Sequence, residues 1–353
     1  MSVDLNRMKM RDPYLDNAKL SLIWLVVFGH LLEPIMDRSP IAHAVYLVVF
    51  AFHMPAFVFL AGVTTQAERW NQRDRSLLWS LILFQCLYML AAYLCNLRGA
   101  FQFPYWLLWF IVSLLFWRRA ANLLSGRFAG WSVLICAVSI SAAAGYLPLG
   151  RPLSLMRTLV FSPLFFLGFF YGHPTIAFLR KRPASAALLS LAILIGALVL
   201  ALRIRVDPEW LYGATRYSVI ATPFLPKWTF RLLLLTTGSV LTAAFLMLVP
   251  TSKGCLTERG KNTLPVYLFH GLAIFPLRGV LAQAPMPVAW MLVLAGSVVM
   301  VALFSLDAVS RGLAAIVNVA AARRVTNPAR SYHSGSVASK AANRAPERSN
   351  ALE

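Results

Sequence analysis

One apolar stretch near the N-terminus carries four ionisable side chains at helical spacing. Asp16 and Lys19 open it, and His30 and Glu33 stand near its far end. At about 100° per residue, Lys19 and His30 share a helix face about three turns apart, and the two carboxylates lie close to the same stripe. Polar groups inside a span cost roughly 2.5–3.5 kcal/mol each, so the stripe predicts a functional site. The alternative is that Asp16 and Lys19 are merely interfacial and that His30 caps or packs.

The end of this stripe suits proton transfer. Histidine is the side chain that titrates nearest neutrality, so His30 is a candidate general base for a hydroxyl nucleophile. Glu33 follows at i+3, a spacing that allows its carboxylate to hold the imidazole tautomer and to stabilise the imidazolium. The alternative is that Glu33 only marks the outer membrane interface.

The composition is that of a membrane protein. Of 353 residues, 59% are hydrophobic and 13% are charged, which is about half the charged fraction of an ordinary soluble domain. Apolar runs long enough to cross a bilayer repeat along most of the chain. Lipid admits only helices or closed barrels, and these runs are too continuous for barrel strands. The sequence therefore predicts an all-α polytopic membrane protein.

We predict three segments: a cytoplasmic N-terminal segment 1–17, a ten-helix membrane domain 18–306, and a basic, disordered cytoplasmic tail 307–353. The ten predicted spans are 18–32, 41–63, 77–97, 103–117, 129–147, 154–171, 184–202, 230–249, 263–281 and 286–306.

The basic residues predict an orientation. If the N-terminus is cytoplasmic and the chain crosses ten times, most of the 33 lysines and arginines lie on the cytoplasmic side, as the positive-inside rule requires. We expect both termini inside a plasma (bacterial inner) membrane. The net charge of +20 then indicates lipid headgroups and an anionic substrate as partners rather than nucleic acid. The long loop 203–229 falls outside, and its aromatic and charged residues suit a carbohydrate or a plain solvated loop.

Short motifs in order resemble the acyltransferase 3 membrane family. Lys19 and His30, with ten residues between them, are similar to its R/K-x10-H signature, and the surrounding residues look like its fucose 4-O-acetylase-type branch. The segment 52–62 resembles F-H-M-P-x-F-x-F-x-S-G, with Ala61 in place of the usual serine. Three further segments resemble family motifs: 108–110, 162–168 and 262–270. The resemblance covers about residues 11–305.

The resemblance implies O-acyl transfer, usually of acetyl, from cytoplasmic acetyl-CoA to a carbohydrate hydroxyl. Acetyl-CoA is then a donor substrate and not a resident cofactor. CoA carries several phosphates, which arginines bind well. The candidate donor-binding residues are Arg73, Arg75, Arg118 and Arg119. The family often has R-x-x-R near the third span, and this chain departs from that pattern. Positive-inside topology alone is the alternative explanation of these arginines.

Four further polar residues are candidates for positioning the substrates: His53, Asn262, Tyr267 and His270. His53 precedes Pro55, so it could instead bond a backbone carbonyl that the proline frees. We expect no metal site. A transporter or flippase for a sugar-containing or anionic substrate is the alternative function, since polar groups in spans suit transport as well.

Overall fold

The computed structural model describes residues 12–66, 71–95, 103–149, 152–181, 183–204, 206–221, 225–254 and 256–322. Over these ranges the chain is helical and contains no strand, which confirms the predicted fold class. The helices are α1 (Pro13–Leu32), α2 (Pro40–Val63), α3 (Gln72–Leu94), α4 (Trp109–Leu124), α5 (Gly130–Ala143), α6 (Leu155–Arg180), α7 (Ala184–Arg203), α8 (Glu209–Tyr212), α9 (Lys227–Leu248), α10 (Thr263–Gln283), α11 (Met286–Phe304) and α12 (Asp307–Ala322).

Nine helices in the described ranges are long and apolar enough to cross a membrane. The apolar segment Gly130–Tyr146, which contains α5, is shorter. At one end of α5, Gly130 faces the Phe170 ring, and nearer its other end Ser141 donates a hydrogen bond to the Val160 carbonyl at 2.8 Å. Helix α5 therefore runs antiparallel along α6, and the tenth membrane span stays a prediction.

Several predicted boundaries are wrong, and the fourth span is one example, since α4 continues to Leu124 rather than ending at residue 117. Helix α1 begins at Pro13 rather than at residue 18, because Asp12 caps it by accepting a hydrogen bond from the Tyr14 amide at 3.0 Å. Most of the predicted N-terminal segment, residues 1–11, lies outside the described residues. Helix α6 continues through Pro174 to Arg180, well beyond residue 171. Membrane helices tolerate proline because neighbouring groups satisfy the freed backbone.

The predicted disordered tail is wrong in its first part. Residues Asp307–Ala322 form α12, whose Leu313 and Val317 pack in one cluster with Leu77 of α3. The Asn262 side chain donates to Asp307 Oδ1 at 2.7 Å, and this hydrogen bond is the main reason that the pKa of Asp307 is held below its ordinary value. The remainder of the predicted tail, 323–353, lies outside the described residues.

The closest helix contact joins α2 to α6. A Cβ atom added at Gly62 would lie 2.1 Å from the Phe165 carbonyl oxygen, and one added at Gly168 would lie 2.1 Å from that of Phe59. Only glycine permits such an approach, and small residues are typical of tight crossings in membranes. Helix α2 also packs against α1, α7 and α9, so this crossing fixes the helix that carries His53.

The orientation remains a prediction, and cysteine labelling tests it. Arg216 in the outer loop and Lys181 after α6 are both exposed. In a cysteine-free background, a membrane-impermeant maleimide applied to intact cells should label Arg216→Cys and spare Lys181→Cys until the membrane is opened. Labelling of Lys181→Cys alone in intact cells would reverse the orientation.

Candidate functional site

A cavity of about 550 Å³ opens at one end of the helix bundle. It lies where α1 ends, where α4 and α6 begin, and where α8 covers the bundle. We call it the outer cavity because the positive-inside rule predicts that this end faces out of the cell. Six of its lining residues are histidine, acidic or basic: His30, Glu33, His53, Arg157, Glu209 and Arg278.

His30 and Glu33 are in direct contact at the wall of the outer cavity. The Nδ1 atom of His30 lies 2.5 Å from Glu33 Oε1, and the two side chains are only 11% and 15% exposed. A carboxylate beside Nδ1 favours the tautomer in which Nδ1 carries the proton, so Nε2 keeps its lone pair. This is the arrangement that the sequence spacing predicts for an oriented general base, although the catalytic roles themselves stay a prediction.

Arg278 completes this group, and the sequence reasoning missed it. Its Nη1 atom lies 3.4 Å from Glu33 Oε2, and its guanidinium lies 5.5 Å from the Trp106 ring centroid. The guanidinium therefore compensates the carboxylate that holds His30. A signal was present in the sequence, because an arginine within the predicted apolar span 263–281 is expected to have a partner. That partner lies 245 residues away, and spacing along one helix cannot reveal it.

Two further histidines surround His30, and both are buried. The Nδ1 atom of His53 lies 2.8 Å from the Val49 carbonyl, and that of His270 lies 3.0 Å from the Val266 carbonyl. Each imidazole therefore donates to the carbonyl four residues back, which fixes its tautomer. The carbonyl that Pro55 frees is that of residue 51, so the alternative explanation of His53 is wrong. The ring centroids of His30 and His270 are 5.6 Å apart.

A second cavity, of about 230 Å³, lies at the opposite end of the bundle. We call it the inner cavity. It lies where α1, α3 and α10 begin and where α2 ends. Its lining includes three basic residues, Lys19, Arg73 and Arg118. The structure therefore brings Lys19 together with two of the four arginines that we predicted for the donor.

Asp74 organises the basic residues at the inner end, and the sequence reasoning missed it. Its carboxylate lies 2.6 Å from Arg118 Nε and 3.5 Å from an Arg119 nitrogen. The same residue forms a capping box with Asn71 at the start of α3. Asn71-x-x-Asp74 is a recognisable capping pattern, but the arginine contacts come from α4 and cannot be inferred from it.

The other two predicted donor residues are placed differently. Arg119 is a third exposed and is held by Asp74. Arg75 is exposed and is not among the residues that line the inner cavity. The physical reason is helical rotation, because two positions along α3 turn a side chain by about 200° relative to Arg73.

Asp16 and Asn262 do not line either cavity. Asp16 is buried where α1 meets Gly260. A Cβ atom added at Gly260 would lie 2.2 Å from the Asp16 carbonyl oxygen. Asn262 donates to the Ser305 carbonyl at 2.8 Å and to Asp307. Its contacts therefore join α10 to the α11–α12 junction, and the substrate positioning that we predicted for it stays a prediction.

A thin wall separates the two cavities. Met54 lines both of them. Tyr267 lines the inner cavity, and its hydroxyl donates to the carbonyl of Leu107, which lines the outer cavity. Tyr267 therefore lies between the two sites. Within the described ranges, no three histidine, cysteine or acidic side chains come together in a way that could hold a metal ion.

The fold and the two cavities define a polytopic membrane protein with an intramembrane His–Glu pair. The acyltransferase 3 family model, described as an acyltransferase domain, matches residues 12–306. The chain therefore belongs to this family of membrane acyltransferases, and the match spans the predicted ten-helix domain. No match was found among curated proteins or among solved structures.

Proposed function

We propose that this protein transfers an acetyl group from acetyl-CoA to a hydroxyl of a carbohydrate or cell-envelope glycan. One observation carries the proposal: a basic inner cavity and an outer cavity containing the His30–Glu33 pair lie on the two sides of a thin wall that includes Met54. The phosphates of CoA suit the basic cavity. The thioester, on its flexible arm, then approaches His30 from the side opposite to the acceptor.

Acetyl transfer needs a base that accepts the hydroxyl proton and then gives a proton to the leaving thiolate. Nε2 of His30 accepts the proton of the acceptor hydroxyl as its oxygen attacks the thioester carbonyl. The carbon–oxygen bond of the ester forms, the carbon–sulfur bond breaks, and the proton passes from the imidazolium to the departing CoA thiolate. Glu33 stabilises the imidazolium in between, and Arg278 keeps Glu33 in place.

The outer cavity supports a carbohydrate as the acceptor. Carbohydrates present apolar ring faces and many hydroxyl groups, so they bind where aromatic rings lie beside charged and polar groups. Trp106 and Tyr212 line this cavity together with Arg157 and Glu209. Burial raises the pKa of Tyr212 to about 12, so its hydroxyl stays protonated at neutral pH.

We propose that the protein lies in the bacterial inner membrane and belongs to the fucose 4-O-acetylase-like branch.

A transport function is not favoured, because the family is one of acyltransferases. The direct test is an acetyl-transfer assay with purified protein, radiolabelled acetyl-CoA and an extract of envelope glycans. We expect CoA thiol release that depends on the acceptor, together with label in the glycan. Mass spectrometry of glycans from cells with and without the protein identifies the acceptor. Absence of label with every acceptor fraction would contradict the proposal.

The donor site makes a separate prediction. Arg73→Gln should raise the KM for acetyl-CoA by roughly ten- to a hundredfold, because a charge-assisted hydrogen bond contributes about 1.5–3 kcal/mol. The kcat should change little, since the substitution removes binding and no reacting group. Arg75→Gln is the matched control, two residues away on another face of α3. An equal KM for both variants would mean that Arg73 serves only topology.

A further inference from the structure

Arg231 is a buried cation whose guanidinium is only partly satisfied. It lies one turn into α9 and is 3% exposed. Its guanidinium lies 5.2 Å from the ring centroid of Trp210 and 5.8 Å from that of Tyr217. Nη1 donates to the Trp210 carbonyl at 2.9 Å. The Nε and Nη2 atoms are buried, and within the part of the chain that the structure describes neither makes a well-aligned hydrogen bond, although the Tyr217 side chain lies within reach of the guanidinium.

No carboxylate found in the described ranges compensates this charge. Arg231 takes part in none of the ion pairs that the structure gives for those residues. A guanidinium stays protonated in proteins, and a buried charge without a counter-charge is strongly unfavourable. The two aromatic rings offset part of this cost through cation–π attraction. A full charge and the N–H groups of Nε and Nη2 still need an acceptor.

A small cavity adjoins Arg231. Its volume is about 30 Å³, and its other walls are largely apolar, including Phe50, Pro55, Phe161 and Leu235. A cavity volume of about 10–15 Å³ is enough to hold one water molecule. A water molecule or an ion in this cavity would have one strong hydrogen-bond donor group, the Arg231 guanidinium, and few other polar partners. Water is most stable with two to four polar partners, whereas an anion is held by the charge itself.

We propose that this cavity binds a small monovalent anion of the size of chloride, held by the Nε and Nη2 groups of Arg231. The anion neutralises the buried guanidinium and leaves Nη1 bound to the Trp210 carbonyl. Arg231 holds the α8 segment through Trp210. Three residues, Phe50, Phe161 and Leu211, line both this cavity and the outer cavity. The bound anion therefore stabilises one wall of the outer cavity and takes no part in acyl transfer.

The test is the thermal unfolding midpoint of the purified protein during titration of chloride against gluconate at constant ionic strength. For the wild-type protein we expect a rise of a few degrees that saturates, and bromide should replace chloride. Arg231→Gln should lose the response. Arg216→Gln removes an exposed cation from the loop that precedes α9 and should keep the response. A wild-type midpoint that does not respond to halide, or an Arg231→Gln protein that responds equally, would overturn the proposal.

A second measurement does not depend on the stability of the variant. Anomalous diffraction from wild-type crystals grown in bromide should give a peak in the cavity beside Arg231. An ordered water at that position, with no anomalous signal, would show that the guanidinium is hydrated and would overturn the anion site.

Discussion

His30→Ala should reduce acetyl transfer by about 10²–10⁴-fold, the usual contribution of general acid–base catalysis. The loss should appear in kcat, because the imidazole moves the proton rather than binding the donor. Expression and membrane insertion should be unaffected, since alanine is easier to accommodate in a span than an imidazole. Transfer is measured as label in the acceptor at saturating acetyl-CoA, with thermal unfolding as the check on folding.

His43→Ala is the matched control for this result. His43 lies in the first turn of α2 near Asp37, on the same side of the bundle but outside the lining of the outer cavity. It should retain wild-type activity. A folded His30→Ala protein that transfers acetyl at a rate near that of the wild type would remove His30 from the mechanism.

Gly168→Leu should abolish the folded protein. A Cβ atom at this position would lie 2.1 Å from the Phe59 carbonyl oxygen, so α6 and α2 would have to separate along the contact that positions His53. Overpacking ordinarily costs about 1–3 kcal/mol, and here the obstacle is backbone rather than a flexible side chain. We expect aggregation on solubilisation and little monodisperse protein by size-exclusion chromatography.

Gly196→Leu provides the control for helix propensity and added volume. Gly196 lies on α7, and a Cβ atom there would meet nothing within 4 Å. This variant should therefore give wild-type yields. If Gly168→Leu also gives wild-type yields, the tight α2–α6 crossing is not required for folding.

The close crossing also explains two of the sequence motifs. Gly62 ends the segment 52–62 and Gly168 ends the segment 162–168, and the two glycines lie at the same crossing. Each motif resembles the family through its residues alone. The structure supplies the physical reason for its final glycine, which is the close approach of two backbones.

The sequence predicted what one helix can specify. Asp16, Lys19 and His30 lie on α1 as the spacing indicated, Glu33 directly follows its last residue, and the His30–Glu33 contact follows from i, i+3 geometry. It could not reveal Arg278 or Asp74, because their partners lie on other helices. The positioning roles of Asp16 and Asn262 stay predictions, because a polar residue in a span is equally required where helix ends are joined.

Composition misled the prediction for α12. The small, polar and basic residues of the tail favoured disorder, yet Leu313 and Val317 are spaced to face one neighbour. That neighbour is α3, which lies more than 200 residues earlier in the chain. Tertiary packing therefore decides the structure of a segment whose own composition does not.

The measurement that tests the central claim most directly is the sidedness of transfer in sealed proteoliposomes of one orientation. Radiolabelled acetyl-CoA is supplied only on the side of the inner cavity, and the glycan acceptor is trapped on the side of the outer cavity. The two-cavity arrangement predicts label on the trapped acceptor with the wild-type protein and none above background with His30→Ala. Label that appears only on acceptor added to the same side as acetyl-CoA would contradict it.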